Sequence, residues 1–296
     1  MISGTDAQKT VVGPLPRGRI GELEISRIIL GGNLLTHYHH CRDQNYVYGL
    51  VAHYNTEEKL LETFETAEAN GINTMSVHTV DWTHQLLKKH RDRSGKLQWI
   101  FCPTADVNDP DLTAYKEEIA RLADLGANAF YVWGEHTDVL VREGRADVIA
   151  RCLDIFRSHG VPAGVGAHDL AVIKTSEKAG FEPDFYVKTH HHHDYPTAPK
   201  NAASLTSAYE EVPGYWDRNP QETADYMAGV KKPWIAFKTM AAGTIPPQSA
   251  FEFVFRNGAD FVFAGMFDYE IAQDVEMATA VLTSQSVKKR ARPWCG

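Results

Sequence analysis

Four consecutive histidines, His190 to His193, stand inside the chain directly after an apolar run, in "FYVKTHHHHDYPTAP". Fourteen histidines in 296 residues is a high number, and they cluster. Imidazole nitrogens beside a carboxylate form a ligand set for zinc, iron, manganese or cobalt. Glu135 in "YVWGEH" and His168 in "VGAHD" close two further apolar runs. A divalent transition metal held by Glu135, His168 and His191 is therefore expected. Such an ion polarises a carbonyl or hydroxyl oxygen and stabilises an enediolate. Side chains alternate along a strand, so at most one or two of the four histidines reach the ion. His191 is the first choice of ligand. His190 comes next and is otherwise placed, with His193, among the substrate contacts.

Two lysines also close apolar runs, Lys188 in "FYVKT" and Lys238 in "IAFKT". A lysine in such a setting loses its charge readily and acts as a base, an electrostatic stabiliser or a Schiff-base nucleophile. Lys238 is expected to be catalytic, together with Glu135 and His78. Asn33, Lys188, Asp268 and the "THYHHC" histidines, His37 and His39, are expected to contact substrate. Each has a plainer use. The lysines could pair with Glu135, Asp169 or Asp268, the histidine run could cap a loop, and "THYHHC" could be solvated.

Ligands so far apart in the chain need a frame that brings them together. Short apolar runs alternate with amphipathic ones from "SRIILGGN" to "YEIAQDVEMATAVL", in about eight strand–helix units. Alternation of this kind implies a parallel sheet. Eight units in one chain of this length predict an α/β fold of the (β/α)8 barrel type. No GxGxxG follows the first strand, which disfavours an open doubly wound sheet. The strands are expected to end near Asn33, His78, Pro103, Glu135, His168, His190, Lys238 and Gly265, and a barrel gathers those ends into one ring. Helix starts are read at Asn55 with Glu58, at Asp109 with Pro110, and at Asn219 with Glu222. Long connections run from Leu34 to His53 and from Asp194 to Arg218. They are expected to cover the site, with Tyr195, Tyr209, Tyr215 and Trp216 suited to stacking on sugar faces. "MAAGT" and "FAGMFD" supply Gly243 and Gly265, a faint phosphate-gripping pattern. No linker divides the chain. One domain over 1–296 is expected, with flexible ends at 1–14 and 284–296.

Composition narrows the partners. A net charge of −8 without a basic stripe argues against nucleic acid. The short run Lys288, Lys289, Arg290, Arg292 reads as a solvated tail. No apolar run approaches the ~20 residues of a membrane span, and "MISGTDAQKTVVG" has no apolar signal region. The four cysteines form no CxxC pair. A cytoplasmic protein with reduced thiols and a small-molecule substrate is expected, its assembly as a monomer or homo-oligomer left open.

"LPRGRIGELEISRIILGGNLL", "AEANGINTMSV" and "GADFVFAGMFDYEIAQDVEMA" resemble the first strands, the lead into the second barrel strand, and the last strand and helix of aldo/keto reductases. The resemblance implies a barrel whose floor is closed by an N-terminal β-hairpin. It also implies NADPH-dependent carbonyl reduction, but the catalytic residues of that family are replaced. Ser76 stands where the family has its aspartate, the tyrosine position falls near Asp81, the lysine near Pro103 or Thr104, and the histidine near Trp133. The arginine and serine cluster that grips the cofactor's phosphate near the last helix is not evident after Gly265. In layout, the strand-end set is similar instead to metal-dependent sugar isomerases and epimerases.

The leading expectation is a metal-dependent lyase, isomerase or hydratase acting on a carbohydrate or related hydroxy-carbonyl compound. The alternatives are an NADPH-dependent aldo/keto reductase with altered catalytic residues, a Schiff-base lyase using Lys238 or Lys188, and a non-catalytic barrel.

Overall fold

The structure is a computed structural model that describes residues 13–40, 44–198, 217–290 and 292–296. The chain opens on an antiparallel hairpin, β1 (Arg17–Ile20) and β2 (Leu23–Ser26). Eight parallel strands follow: β3 (Ile28–Leu30), β4 (Thr74–His78), β5 (Gln98–Cys102), β6 (Ala129–Val132), β7 (Ala163–Ala167), β8 (Phe185–Thr189), β9 (Trp234–Phe237) and β10 (Phe261–Ala264). They pair in sequence order, and β10 pairs with β3, which closes the barrel. The expected (β/α)8 architecture is therefore present.

The helices are α1 (Gly32–Leu35), α2 (Asn45–Tyr54), α3 (Glu57–Ala69), α4 (Asp81–Asp92), α5 (Thr113–Leu125) and α6 (Gly134–Arg142). The remainder are α7 (Asp147–Ser158), α8 (Leu170–Ala179), α9 (Pro220–Met227), α10 (Pro247–Arg256), α11 (Asp268–Thr283) and α12 (Gln285–Lys288).

Both faces of each barrel strand are covered, which is why the strands read as unbroken apolar runs. Alternate residues, among them Ile29, Ile100, Ala129, Phe185, Ile235 and Phe263, point inward and fill the barrel. Ile20 and Ile25 of the hairpin join that cluster and seal its floor. The intervening residues, such as Phe101, Phe130, Tyr186 and Trp234, pack under the helices. The open end is thus the carboxyl mouth, where barrel enzymes build their sites.

Helix starts were only partly legible. Asn219 caps α9, accepting from the Glu222 amide at 3.2 Å, with Pro220 in the first turn. Asn55 does not cap α3. Thr56 does, accepting from the Lys59 amide at 3.3 Å, while the Asn55 amide group donates to the Leu34 carbonyl. Asp109 caps a turn before α5, accepting from the amides of Asp111 and Thr113. The first long connection contains α2, whose one buried residue is Val51. So little burial leaves a weak helical period to read.

In the basic run near the C-terminus Lys288 and Lys289 are exposed as expected, but the two arginines are not a solvated tail. Arg292 is 3% exposed and donates to Asp260 at 2.6 Å and to the carbonyls of Met227, Gly258 and Lys232. Arg290 lies 3.5 Å from the same carboxylate. Arg27 donates to the carbonyls of Asp260 and Gly296. These bonds staple Arg290 and residues 292–296 beneath β9 and β10. Removing one partner of a buried ion pair strands the other. Arg292→Ala is therefore expected to cost about 3–5 kcal/mol in denaturant unfolding, and a loss under about 1 kcal/mol would refute the staple.

Candidate active site at the barrel mouth

A cavity of about 920 Å³ opens at the carboxyl ends of the strands. Strand parity brings Ser76 of β4, Cys102 of β5 and Tyr131 of β6 to its floor. The Tyr131 hydroxyl lies 3.4 Å from the Ser76 hydroxyl and bonds to the Cys102 thiol. Burial pushes the Cys102 thiol well up, and burial with the Cys102 neighbour does the same to Tyr131. Both groups therefore stay neutral at physiological pH and act as polar, uncharged donors.

Lys238 shares this cavity. Phe237, the last residue of β9, points inward, so simple alternation would turn Lys238 outward. Its backbone instead adopts a left-handed φ of 56°, and Ala241 and Ala242 follow at 45° and 60°. Such angles cost a non-glycine residue of order 1–3 kcal/mol each. The strained turn places the side chain on the cavity wall, its ammonium 5.4 Å from the Phe237 ring centroid. Burial lowers the Lys238 pKa to about 7, an effect that Glu135 and Cys102 partly oppose. A lysine so tuned exchanges its proton near neutral pH.

Neutral imidazoles surround the lysine. Burial, then the Lys238 charge, brings His78 down to about 4, and burial with several cationic neighbours brings His40 to about 2. His168 donates from Nδ1 to Asp138 at 2.8 Å, a carboxylate that also accepts from the His168 and Asp169 amides. Burial lowers its pKa despite that partner.

The histidine run answers to a different need. His190 donates from Nδ1 to the Asp217 carboxylate at 2.7 Å. His191 accepts from the Asp217 amide on Nε2 at 3.2 Å and donates from Nδ1 to the His192 carbonyl. His193 donates to the Asp217 carbonyl at 2.6 Å. His192 accepts from the Asp194 amide and bonds Ser249. Three of the four side chains thus clasp one residue, Asp217. Lys188, 1% exposed, completes the clasp at 3.4 Å from that carboxylate. Burial would raise the Asp217 pKa, but Lys188 and the His190 bond hold it well below the carboxylate range.

The expected metal centre is not formed. Both ring nitrogens of His191 are engaged within the protein, so it has no lone pair for an ion. Among the described residues there is no group of three or more His, Cys, Asp or Glu that could hold one. The Glu135–His168–His191 set fails as a ligand set, and the metal-dependent lyase, isomerase or hydratase reading falls with it.

The other named residues divide by parity and by loop. Asn33, His39, His78, Glu135, His168, His191 and Lys238 line the cavity. Lys188 and His190 lie on the outer side of β8, with His190 between the rings of Trp234 and Phe253, each 4.9 Å away. His193 belongs to the Asp217 clasp. His37 packs 5.5 Å from Trp82, and Asp268 bonds Tyr54 and Lys59. Tyr209, Tyr215 and Trp216 lie outside the described residues. Sequence reading missed Ser76, Cys102 and Tyr131 as members of the floor. The period-2 spacing of Ser76 and His78 on β4, with Tyr131 inward on β6, was the signal available.

No known family profile matches the sequence, and no curated protein matches it. Solved structures do. A putative aldo-keto reductase from Pseudomonas aeruginosa superposes with a TM-score of 0.61 at 15% identity, covering 93% of this chain and 100% of that one. An aldo-keto reductase from Bacillus halodurans, in its holo form, gives 0.59 at 11% identity, covering 95% and 97%. A mutant of Gox0644 in complex with NADPH gives 0.54 at 11% identity, covering 90% of each chain. Identities this low speak for the fold alone. Among the described residues, no helix is long and apolar enough to cross a membrane. By its hairpin-floored (β/α)8 barrel the chain is similar in fold to the aldo-keto reductases.

Proposed function

We propose that this chain reduces the carbonyl group of a small organic compound, using a nicotinamide dinucleotide, with Lys238 as the proton donor. The observation that carries the reading is Lys238 itself: a lysine with a pKa near 7, in a large cavity at the barrel mouth, beside neutral hydroxyl and thiol groups. General acids work best when their pKa lies near the working pH.

The cavity walls suit such a dinucleotide. A volume of about 920 Å³ lies at the upper end of ordinary ligand pockets, roughly 300–1,000 Å³. Among the described residues, the hydroxyl of Thr239, a residue 1% exposed on the cavity wall, has no hydrogen-bond partner, and neither do the two ring nitrogens of His39, 8% exposed. Helix α10 begins at the cavity, at Pro246 and Pro247, with no acidic residue in its first turn. Pro246 and Pro247 have no N–H to offer, so the amides of the turn at Ala242 and Gly243 would hold the diphosphate. When bound, the nicotinamide supplies a hydride.

The protein's own residues do the rest. The neutral phenol of Tyr131 donates a hydrogen bond to the carbonyl oxygen, and Lys238 gives that oxygen its proton as charge develops. Ser76 and Cys102 orient the phenol. Phe237 and Trp133 exclude water from the floor.

The test is to mix the protein with reduced dinucleotide and a panel of small aldehydes and ketones. Oxidation of the nucleotide at 340 nm, matched by alcohol formation, is expected. Failure of both NADH and NADPH to bind at millimolar concentration would remove this reading. The lowered proton affinity of Lys238 also favours a second one, imine formation with the carbonyl. Borohydride trapping of a Lys238 adduct in the absence of nucleotide would select it.

A further inference from the structure

Charge is distributed unevenly around the cavity. Among the described residues, Lys238 is the single lysine or arginine on its wall, and it sits at the floor. The wall formed by the loop after the neighbouring strand β10 and the start of α11 carries Glu270 and Asp274. One turn apart on α11, they crowd their charges. Burial, and then Glu270, raise the Asp274 pKa to about 6, which is the behaviour of a carboxyl group with no cation nearby. One Glu270 oxygen accepts from the Phe267 amide at 3.0 Å, so the helix supplies its own N-terminal acceptor. Lys59, on the neighbouring helix α3, is held by Glu62 at 2.7 Å and Asp268 at 3.1 Å. Beside the carboxyl groups, the rings of Phe267 and Tyr269 stack at 5.4 Å, with Tyr269 66% exposed. That surface offers a flat platform for a base.

An elongated dinucleotide with its reactive ring over Lys238 and its diphosphate at the Ala242–Gly243 turn has this wall left for its adenosine half. A ligand is indicated independently by Thr239 and His39, whose buried polar atoms line the same cavity and have no hydrogen-bond partner among the described residues. Carboxylates accept a hydrogen bond from a ribose 2′-hydroxyl, whereas a 2′-phosphate asks for an arginine. We propose that the dinucleotide taken by this barrel carries no 2′-phosphate, because Glu270 and Asp274 receive a free ribose hydroxyl and repel a phosphomonoester. This inference rests on the reductase reading and specifies its cofactor.

Direct binding tests it without turnover. The purified full chain is titrated with NADH and with NADPH, followed by energy transfer from tryptophan to nucleotide and by calorimetry. NADH is expected to bind at least tenfold tighter at low salt, and the gap is expected to narrow at high salt as the charges are screened. The isosteric double variant E270Q/D274N keeps the side-chain shapes. It is expected to lower the ratio of NADH to NADPH affinity at least tenfold. Equal or tighter binding of NADPH by the unmodified protein would overturn this inference and leave the reductase reading standing. An unchanged ratio in a folded E270Q/D274N would also overturn it, because the wall would not be the cause. If neither nucleotide binds, both readings fall together.

Discussion

Lys238→Met is expected to lower kcat by about 10²–10⁴-fold, the range supplied by a positioned general acid, while nucleotide binding stays within a few-fold. Methionine keeps the length of the side chain and removes the proton. It also removes a cation from a buried position, so the variant is expected to keep its fold and a Tm no lower than the parent. Circular dichroism and a thermal melt check that point. The pH profile carries a separate signature. An acid must hold its proton to act, and the groups facing Lys238 set its pKa: burial lowers it, and Glu135 and Cys102 partly restore it. His40, His78 and His168 feel its charge and are themselves held neutral by burial. The kcat of the parent is therefore expected to be full below about 7 and to fall as pH rises through that value. Lys238→Arg keeps a cation that does not release its proton near neutrality, and should show low activity with no such inflection. A K238M variant that retains more than a tenth of parental kcat would end the assignment of Lys238 as donor.

The largest effect on stability is expected at Asp217. Its carboxylate serves Lys188, the His190 ring and the Thr223 hydroxyl, the last at 2.8 Å, with every partner buried. Asp217→Ala leaves Lys188 without its counter-charge in the protein interior. Breaking a buried pair in this way costs about 3–5 kcal/mol. At about 2 °C per kcal/mol for a domain of this size, Tm should fall by roughly 6–10 °C. Replacing both partners, in K188M/D217L, is expected to recover much of the loss, since an apolar pair need not be solvated. If D217A melts within 2 °C of the parent, the clasp is not a structural element.

Acid should mimic the D217A lesion in two stages. His78 and His191 are held neutral by burial, at about 4 and about 3, so the unfolded chain takes up their protons first and stability begins to fall below about 6.5. The Asp217 contribution is present above about 4 and is lost at lower pH, because its folded pKa lies below the unfolded one.

The tetra-histidine run shows where reading by residue type misleads. Histidine beside glutamate signals a metal because the ligand chemistry is the same wherever it occurs. Whether a given nitrogen has a free lone pair depends on its partner, and the partner of His191 lies 26 residues further on, at Asp217. No spacing rule reaches across that distance. Alternation along β8 puts Lys188 outside the barrel, on the same face as Tyr186 and opposite to Phe185 and Val187. For Lys238 the rule itself breaks, since the left-handed backbone after Phe237 reverses the direction that alternation predicts.

What the amino-acid order determined alone was the barrel. Apolar runs of strand length, alternating with amphipathic helices eight times, admit few other ways to bury both faces of every strand. The hairpin was implied by the resemblance of "LPRGRIGELEIS" to the start of aldo/keto reductases, and the structure gives its physical reason: Ile20 and Ile25 leave water by sealing the barrel floor. Tertiary structure alone decided the site. Ser76, Cys102, Tyr131 and Lys238 come from four strands, and the hydrogen-bond partners, burial and backbone strain that set their proton affinities exist only once those strands are closed into a ring.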